Sequence, residues 1–348
     1  MTRQTWTAFA SALLFVGLAV LLVLFPVPFV SWSPGAPQDT LGSVNNEPII
    51  QVSGIDTHPT TGRLDMTVVS TTPADARLSL PQALMSYWLP HRDALPRDAI
   101  YDPGKSAEQV QDEDADRMET AQDDAVVAAL RADGQTVTER PAVYSVTIGG
   151  PAHQRLRPGD LITAVDGVST PVEKDVRDRI QRHQVGDTVI FTVIRAKQER
   201  RVKVITAEST TQSDAPVVGI TLGTGYDYAP DISFELGQQI GGPSAGLVFA
   251  VAIYDKITEG ALLGGRHVAG TGTISPTGDV GAVGGIQEKI AGAEDTGATE
   301  FFVPAGNCAD LDGMRTDVRL IKVSTLRDAI TALQAMDAPG APGALPAC

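Results

Sequence analysis

After Arg3 the next charged residue is Asp39, and Ala8 to Val30 is a run of 23 almost wholly apolar residues. A helix needs about 20 such residues to cross the hydrocarbon core of a bilayer. A cleaved signal peptide is the rival reading, but its apolar region is usually shorter, roughly 7–15 residues, and ends in a small-residue cleavage site. Here the run closes in Pro26-Val27-Pro28-Phe29-Val30-Ser31-Trp32, and Trp6 and Trp32 mark its edges as an aromatic belt would. A retained single-pass anchor over residues 1–33 is therefore expected. Arg3 carries the nearby positive charge, which keeps the N-terminus in the cytoplasm and sends everything after Ser33 outside. In an oxidising exterior the two cysteines, Cys308 and Cys348, could pair.

The chain has 348 residues and a net charge of −15. With no basic surplus to meet phosphates, nucleic-acid binding is excluded. Much of the excess lies in Glu108, Asp112, Glu113, Asp114, Asp116, Glu119, Asp123 and Asp124, read here as a solvated helix face. Two cysteines without a C-x-x-C pair rule out a thiolate zinc site, and the five histidines lack metal-ligand spacing, so no metal or cofactor is implied. Gly104-Lys105-Ser106 has the end of a phosphate-binding loop, but Ala99 stands where its first glycine belongs. ATP binding is not expected.

Beyond the anchor, residues 34–80 read as β structure, with strand-like runs at Pro48–Val52 and Leu64–Ser70. Residues 81–140 read as helical and polar, broken at Leu95-Pro96 and Asp102-Pro103-Gly104. Residues 141–206 alternate strands and tight turns around one helix, Val172–His183. Asp231 to Leu236 then alternates as a half-buried strand does, Gly237 to Gly242 is a loop, and Ser244 to Ile257 is a helix with few polar residues.

Gly241-Gly242-Pro243-Ser244-Ala245-Gly246 puts a serine at a helix start, where unpaired N–H groups and the dipole favour negative charge. A plain N-cap serine has the same signature. A nucleophilic serine needs a base. Gly242-x-Ser244-x-Gly246 satisfies the nucleophile-elbow pattern of α/β-hydrolases, yet only His267 follows, and only Asp255 lies between. Lysine is the other option. Ile286, Ile290 and Ala293 form an apolar helical stripe, and Lys289 sits on its edge. Snorkelling explains most such lysines. Burial would instead lower the lysine pKa and leave a neutral amine able to take a proton from Ser244.

Two resemblances organise these pieces. Gly150-Pro151-Ala152 and Leu156 through Gly167, with Pro158-Gly159-Asp160-Leu161-Ile162 inside it, resemble a PDZ domain of the bacterial protease-associated kind. That implies a groove taking an extended peptide as an added strand. The usual carboxylate-binding loop is hard to locate before Val143, so recognition of a C-terminal carboxylate is not implied. Gly242-Pro243-Ser244-Ala245-Gly246, Thr271-Gly272-Thr273-Ile274 with Gly278, and Gly284-Gly285-Ile286-Gln287-Glu288-Lys289 resemble, in order, the three motifs of the Lon peptidase domain. The resemblance implies Ser244 as nucleophile, Lys289 as base and Thr271 as the threonine that hydrogen-bonds the lysine. Gly242 and Ala245 are expected at the oxyanion and substrate cleft. Gly241 and Thr273 depart from Lon, which usually has acidic residues there. Anchor, PDZ unit and Lon-like domain in this order are similar to the extracytoplasmic Lon-like proteases of Gram-positive bacteria.

The expected fold class is α+β: one transmembrane helix, a β-rich PDZ domain and a Lon-type peptidase domain. The boundaries expected are 1–33 (anchor), 34–140 (a β and helical segment that could pack on the protease domain), 141–206 (PDZ), 207–338 (peptidase) and 339–348 (tail). Whether the strands at 48–70 complete the peptidase sheet is left open. The expected activity is ATP-independent serine endopeptidase, with peptide or protein substrates and the membrane as partners. Lon-like domains tend to form rings, so a homo-oligomer is compatible with the resemblance. A non-enzymatic PDZ scaffold and an α/β-hydrolase-type esterase are the alternatives.

Overall fold

The computed structural model of the chain describes residues 3–209, 215–236, 241–337 and 345–348. The expected loop at 237–242 and the tail at 339–348 therefore fall partly outside the described residues. The chain forms two compact units, one made of Met1–Gly134 with Pro230–Cys348, the other of Gln135–Ala229. Both mix helix and strand.

The apolar run at the N-terminus divides. Arg3–Leu24 is a helix with no buried residue, and an 18-residue window within it has a mean hydropathy of 2.6. It stops because Pro26 and Pro28 cannot continue it and bias the residues before them toward extended backbone. Phe29–Pro34, read from sequence within or just beyond the anchor, is instead the central strand of a three-stranded sheet, between Asp93–Pro96 and Val69–Thr71. Val30 in this strand is fully buried.

The main sheet of the first unit has five strands in the order Arg319–Val323, Glu300–Pro304, His267–Gly270, Arg63–Met66 and Gln38–Asp39. The first four run parallel, and the last is antiparallel. Strands buried on both faces need nearly continuous apolar runs, which Phe301-Phe302-Val303 and Val268-Ala269 supply. Arg63–Met66 thus brings the early part of the chain into the main sheet. Asp231–Phe234 pairs antiparallel with Ile50–Ser53 in a separate two-stranded sheet, and Phe234 packs its ring 5.0 Å from that of Phe249.

The helix Gly246–Ile257 is buried along nearly its whole length. One of its covers is Ala107–Ala132, whose apolar residues Met118, Ala121 and Ala125 to Leu130 face inward. Ser106 caps that helix through the Gln109 N–H. The Gly104-Lys105-Ser106 stretch is thus the entry to an ordinary helix. Cys308 and Cys348 form a disulfide.

The second unit is an antiparallel sheet in the order Gln198–Ile205, Thr188–Arg195, Leu161–Val165, Thr138–Val146 and Ile220–Asp227. The helix Glu173–Ile180 packs Val176 and Ile180 into a core with Val143, Ile162, Phe191 and Val204. Asp166 and Gly167, both with positive φ, make the two-residue turn joining Val165 to Val168. Asp160 is buried and ion-paired with Arg195 at 2.6 Å. The unit is wider than the expected 141–206. Ile220–Asp227, placed by sequence in the peptidase segment, pairs along the whole of Thr138–Val146, a long-range register that local patterning does not reveal.

Candidate active site

Gly242 takes φ 86°, a conformation open to glycine, and turns the chain into the short 3-10 stretch Pro243–Ala245. Ser244, half-buried, sits in that stretch immediately before the helix. Because the helix behind it is packed on nearly all sides, its first turn is held in place.

Lys289 rides on the helix Ile286–Asp295. Gly285 precedes this helix at φ 66° and ψ 39°. A Cβ on Gly285 would stand 2.5 Å from Val69 Cγ2, so both conformation and space require glycine. Lys289 is only 4% exposed. Burial with no facing carboxylate pulls its pKa down to about 8.

The structure brings Ser244, Lys289 and Thr271 together. Lys289 Nζ lies 2.7 Å from Ser244 Oγ and 3.0 Å from Thr271 Oγ1. The Thr271 hydroxyl donates its one proton to the Ser244 carbonyl oxygen at 3.0 Å, so its lone pairs face the amine. The Gly272 N–H donates to the same carbonyl at 2.8 Å. Thr271 thus bridges the backbone of one residue and the side chain of the other.

Gly242 and Ala245 were expected at the oxyanion and substrate cleft. The Gly242 N–H, however, donates to the Asp114 carbonyl at 3.1 Å and is not directed at a charge forming beside Ser244. Ala245 is buried at the start of the helix. His267 is engaged elsewhere: its Nε2 lies 2.8 Å from Asp65 Oδ2, and Asp65 also accepts from Arg63 Nε at 2.7 Å. An elbow serine served by His267 finds no support in this geometry.

Two supporting residues were not legible in the sequence. Asn307 is buried and accepts the Val283 N–H at 2.9 Å while donating to the Val283 carbonyl at 2.8 Å. This pins the chain just before Gly284-Gly285. Trp32 packs under the same turn, so closely that a Cβ on Gly284 would lie 2.8 Å from its ring. Neither lies at a spacing that marks it, although an asparagine just past the Glu300–Pro304 strand was a hint.

In the second unit, Ile220–Asp227 is an edge strand, and the segment Pro216–Gly219 leads into it. A cavity of about 690 Å³ runs along this edge, lined by Gly150, Arg177, Ile180, Val217 and Ile220 among others.

Residues 238–335 match the family model for the Lon protease (S16) C-terminal proteolytic domain. Residues 111–206 match the PDZ domain model, which begins within the Ala107–Ala132 helix of the first unit and stops short of Ile220–Asp227. Lon protease 1 of Sorangium cellulosum is 41% identical over 93 residues, covering 26% of this chain and 11% of that protein. Lon protease of Fusobacterium nucleatum is 37% identical over 78 residues, covering 22% and 10%. The chain therefore spans about a tenth of the length of these curated relatives. The crystal structure of a PDZ domain from an SdrC-like protein of Listeria monocytogenes is 30% identical, covers 24% of this chain and 86% of its own, and has a TM-score of 0.22. A Lon-type proteolytic domain and a PDZ domain are thus carried on one chain, behind an N-terminal helix apolar and long enough to span a membrane.

Proposed function

We propose that the chain is a membrane-anchored serine endopeptidase that works without ATP on extended or loosely folded segments outside the cytoplasm. The observation that carries this reading is the 2.7 Å approach of Lys289 Nζ to Ser244 Oγ in a site where the amine is almost wholly buried. The match of residues 238–335 to a proteolytic domain supports the same chemistry.

Neutral Lys289 accepts the hydroxyl proton as Ser244 Oγ attacks a peptide carbonyl. The new C–O bond makes a tetrahedral oxyanion, held by N–H groups at the start of the helix near Ala245. Collapse breaks the C–N bond, and Lys289 delivers its proton to the leaving amine. Water then enters with Lys289 again as base, cleaves the acyl-serine ester and returns the hydroxyl. Thr271 holds the amine on line throughout.

ATP independence rests on the incomplete phosphate loop at Gly104-Lys105-Ser106. The orientation rests on Arg3 before the spanning helix, with the catalytic part outside. The chain organisation we infer has residues 34–134 and 230–337 building one peptidase body, interrupted by the PDZ unit at 135–229. The groove beside Ile220–Asp227 then takes a peptide strand from the substrate.

The test is to reconstitute the full chain, offer an unstructured protein without nucleotide, and compare it with Ser244→Ala and Lys289→Ala. Cleavage by the wild type alone supports the reading. Cleavage that survives Lys289→Ala at full rate overturns it.

A further inference from the structure

The helix Leu80–Trp88 is built with its polarity reversed. Its inward face carries the small residues Ala83 and Ser86, and Ser86 Oγ lies 2.6 Å from Ser31 Oγ on the neighbouring strand. Its large apolar residues point outward. Tyr87 and Trp88 are each 73% exposed and Met85 58%, with Leu84 and Leu89 exposed beside them. A helix seated on a water-soluble body buries such residues and shows its polar ones. Single exposed apolar residues are ordinary, but five consecutive or near-consecutive ones on one face mark a contact surface.

The position of the helix decides what that surface meets. Pro26 pairs with Ser79 and Val27 with Leu78, so the helix begins one residue beyond the strand that receives the chain leaving Arg3–Leu24. The two helices are in contact. Neighbouring strands lie about 5 Å apart, so the face starts within the headgroup layer if Arg3–Leu24 spans the bilayer. Phe25 and Phe29, both exposed, flank the same exit. Arg77 and Arg92, also exposed, bracket the helix as basic residues do beside anionic headgroups. Tyr and Trp are the side chains that favour this layer, an apolar ring buried and a polar edge wet.

We propose that Leu84, Met85, Tyr87, Trp88 and Leu89 form an interfacial foot that inserts into the outer leaflet beside the spanning helix. The occupant of this face is lipid. The foot fixes the tilt of the peptidase body on the membrane, which a single spanning helix followed by a free linker could not do. The Ser79 N–H is capped by Gln82 Oε1 at 2.9 Å and Pro81 sits in the first turn, so the helix is formed before it meets lipid. This inference rests on the anchored reading above.

The test uses the full chain in vesicles of phosphatidylcholine and phosphatidylglycerol that carry bromines either high or low in their acyl chains. Bromine quenches tryptophan emission by contact, and comparison of the wild type with Trp88→Phe and with Trp6→Phe isolates each ring. The expected result is that Trp88→Phe removes the share of shallow-bromine quenching that survives Trp6→Phe, and little of the quenching by the deep bromines. Trp6 reports on the spanning helix separately: if Trp6→Phe changes no quenching, the anchor reading fails and the foot falls with it. Trp88 unquenched while Trp6 is quenched overturns the foot. Trp88 shielded from both bromines and aqueous acrylamide also overturns it, because a second copy or another protein then covers the face.

Discussion

Glu288, buried on the helix that carries Lys289, feels the charge of Asp93 on the strand beside Phe29–Pro34. Burial first, then the charge of Asp93, raises the Glu288 pKa, while His91 opposes the shift. A carboxyl whose folded pKa is raised stabilises the fold below its ordinary value of 4.5 and loses that contribution as pH rises through the folded value. Glu288→Gln removes the titrating carboxyl while keeping the size of the side chain. It is expected to raise the urea midpoint at pH 7–8 and to match the wild type below the ordinary glutamic acid range.

Lys289 titrates in the opposite sense. Its amine is neutral above about 8, against an ordinary value of 10.5. Peptidase activity, measured as kcat/KM, should rise with pH along a limb of apparent pKa about 8. Between those two values the unfolded chain binds more protons, so stability also rises with pH there. Lys289→Met should be inactive yet more stable than the wild type at pH 7, by roughly 1–3 kcal/mol in urea unfolding.

On the proposed reading, Thr271 has a role that size alone does not fill. Thr271→Ser keeps the hydroxyl that donates to Ser244 O and accepts from Lys289 Nζ, whereas Thr271→Val removes it. The valine variant should lose roughly 10²-fold in kcat with little change in KM, and the serine variant should recover most of it. Equal losses in both variants would mean that packing, not the hydroxyl, matters.

Asn307→Ala leaves the N–H and C=O of Val283 without their partner. A loss of about 2–3 kcal/mol is expected in chemical denaturation, together with a lower kcat, because the turn before Lys289 is released. An unchanged kcat would confine Asn307 to the stability of the fold.

Cys308 directly follows Asn307, and its bond to Cys348 closes a 40-residue separation. Reduction should cost about 4 kcal/mol on the chain-entropy view. The check is the urea midpoint with and without reductant. Identical midpoints would show that the bond does not constrain the unfolded chain.

Ser244 and Lys289 were legible because their signals are local: glycines before a buried helix, and a lysine on an apolar stripe. The strands were harder. Arg63–Met66 lies between His267–Gly270 and Gln38–Asp39, and Ile220–Asp227 pairs with Thr138–Val146; in both cases a long-range register decides the sheet. Phe29–Pro34 was hidden because a strand buried in a core and the end of a spanning helix have the same composition. Pro26 and Pro28 were the visible signal against a helix there. Asn307 and Trp32 act through backbone they touch far along the chain, which no spacing encodes.

The packing of Trp32 under Gly284 also sets a length. Leu24 ends the apolar helix and Trp32 lies eight residues on, so the two are at most about 28 Å apart. With that helix in the bilayer, the turn that leads to Lys289 is tethered to the membrane exit by a short strap of fixed reach. On the anchored reading proposed above, this strap would confine cleavage to substrate chains that pass near the lipid.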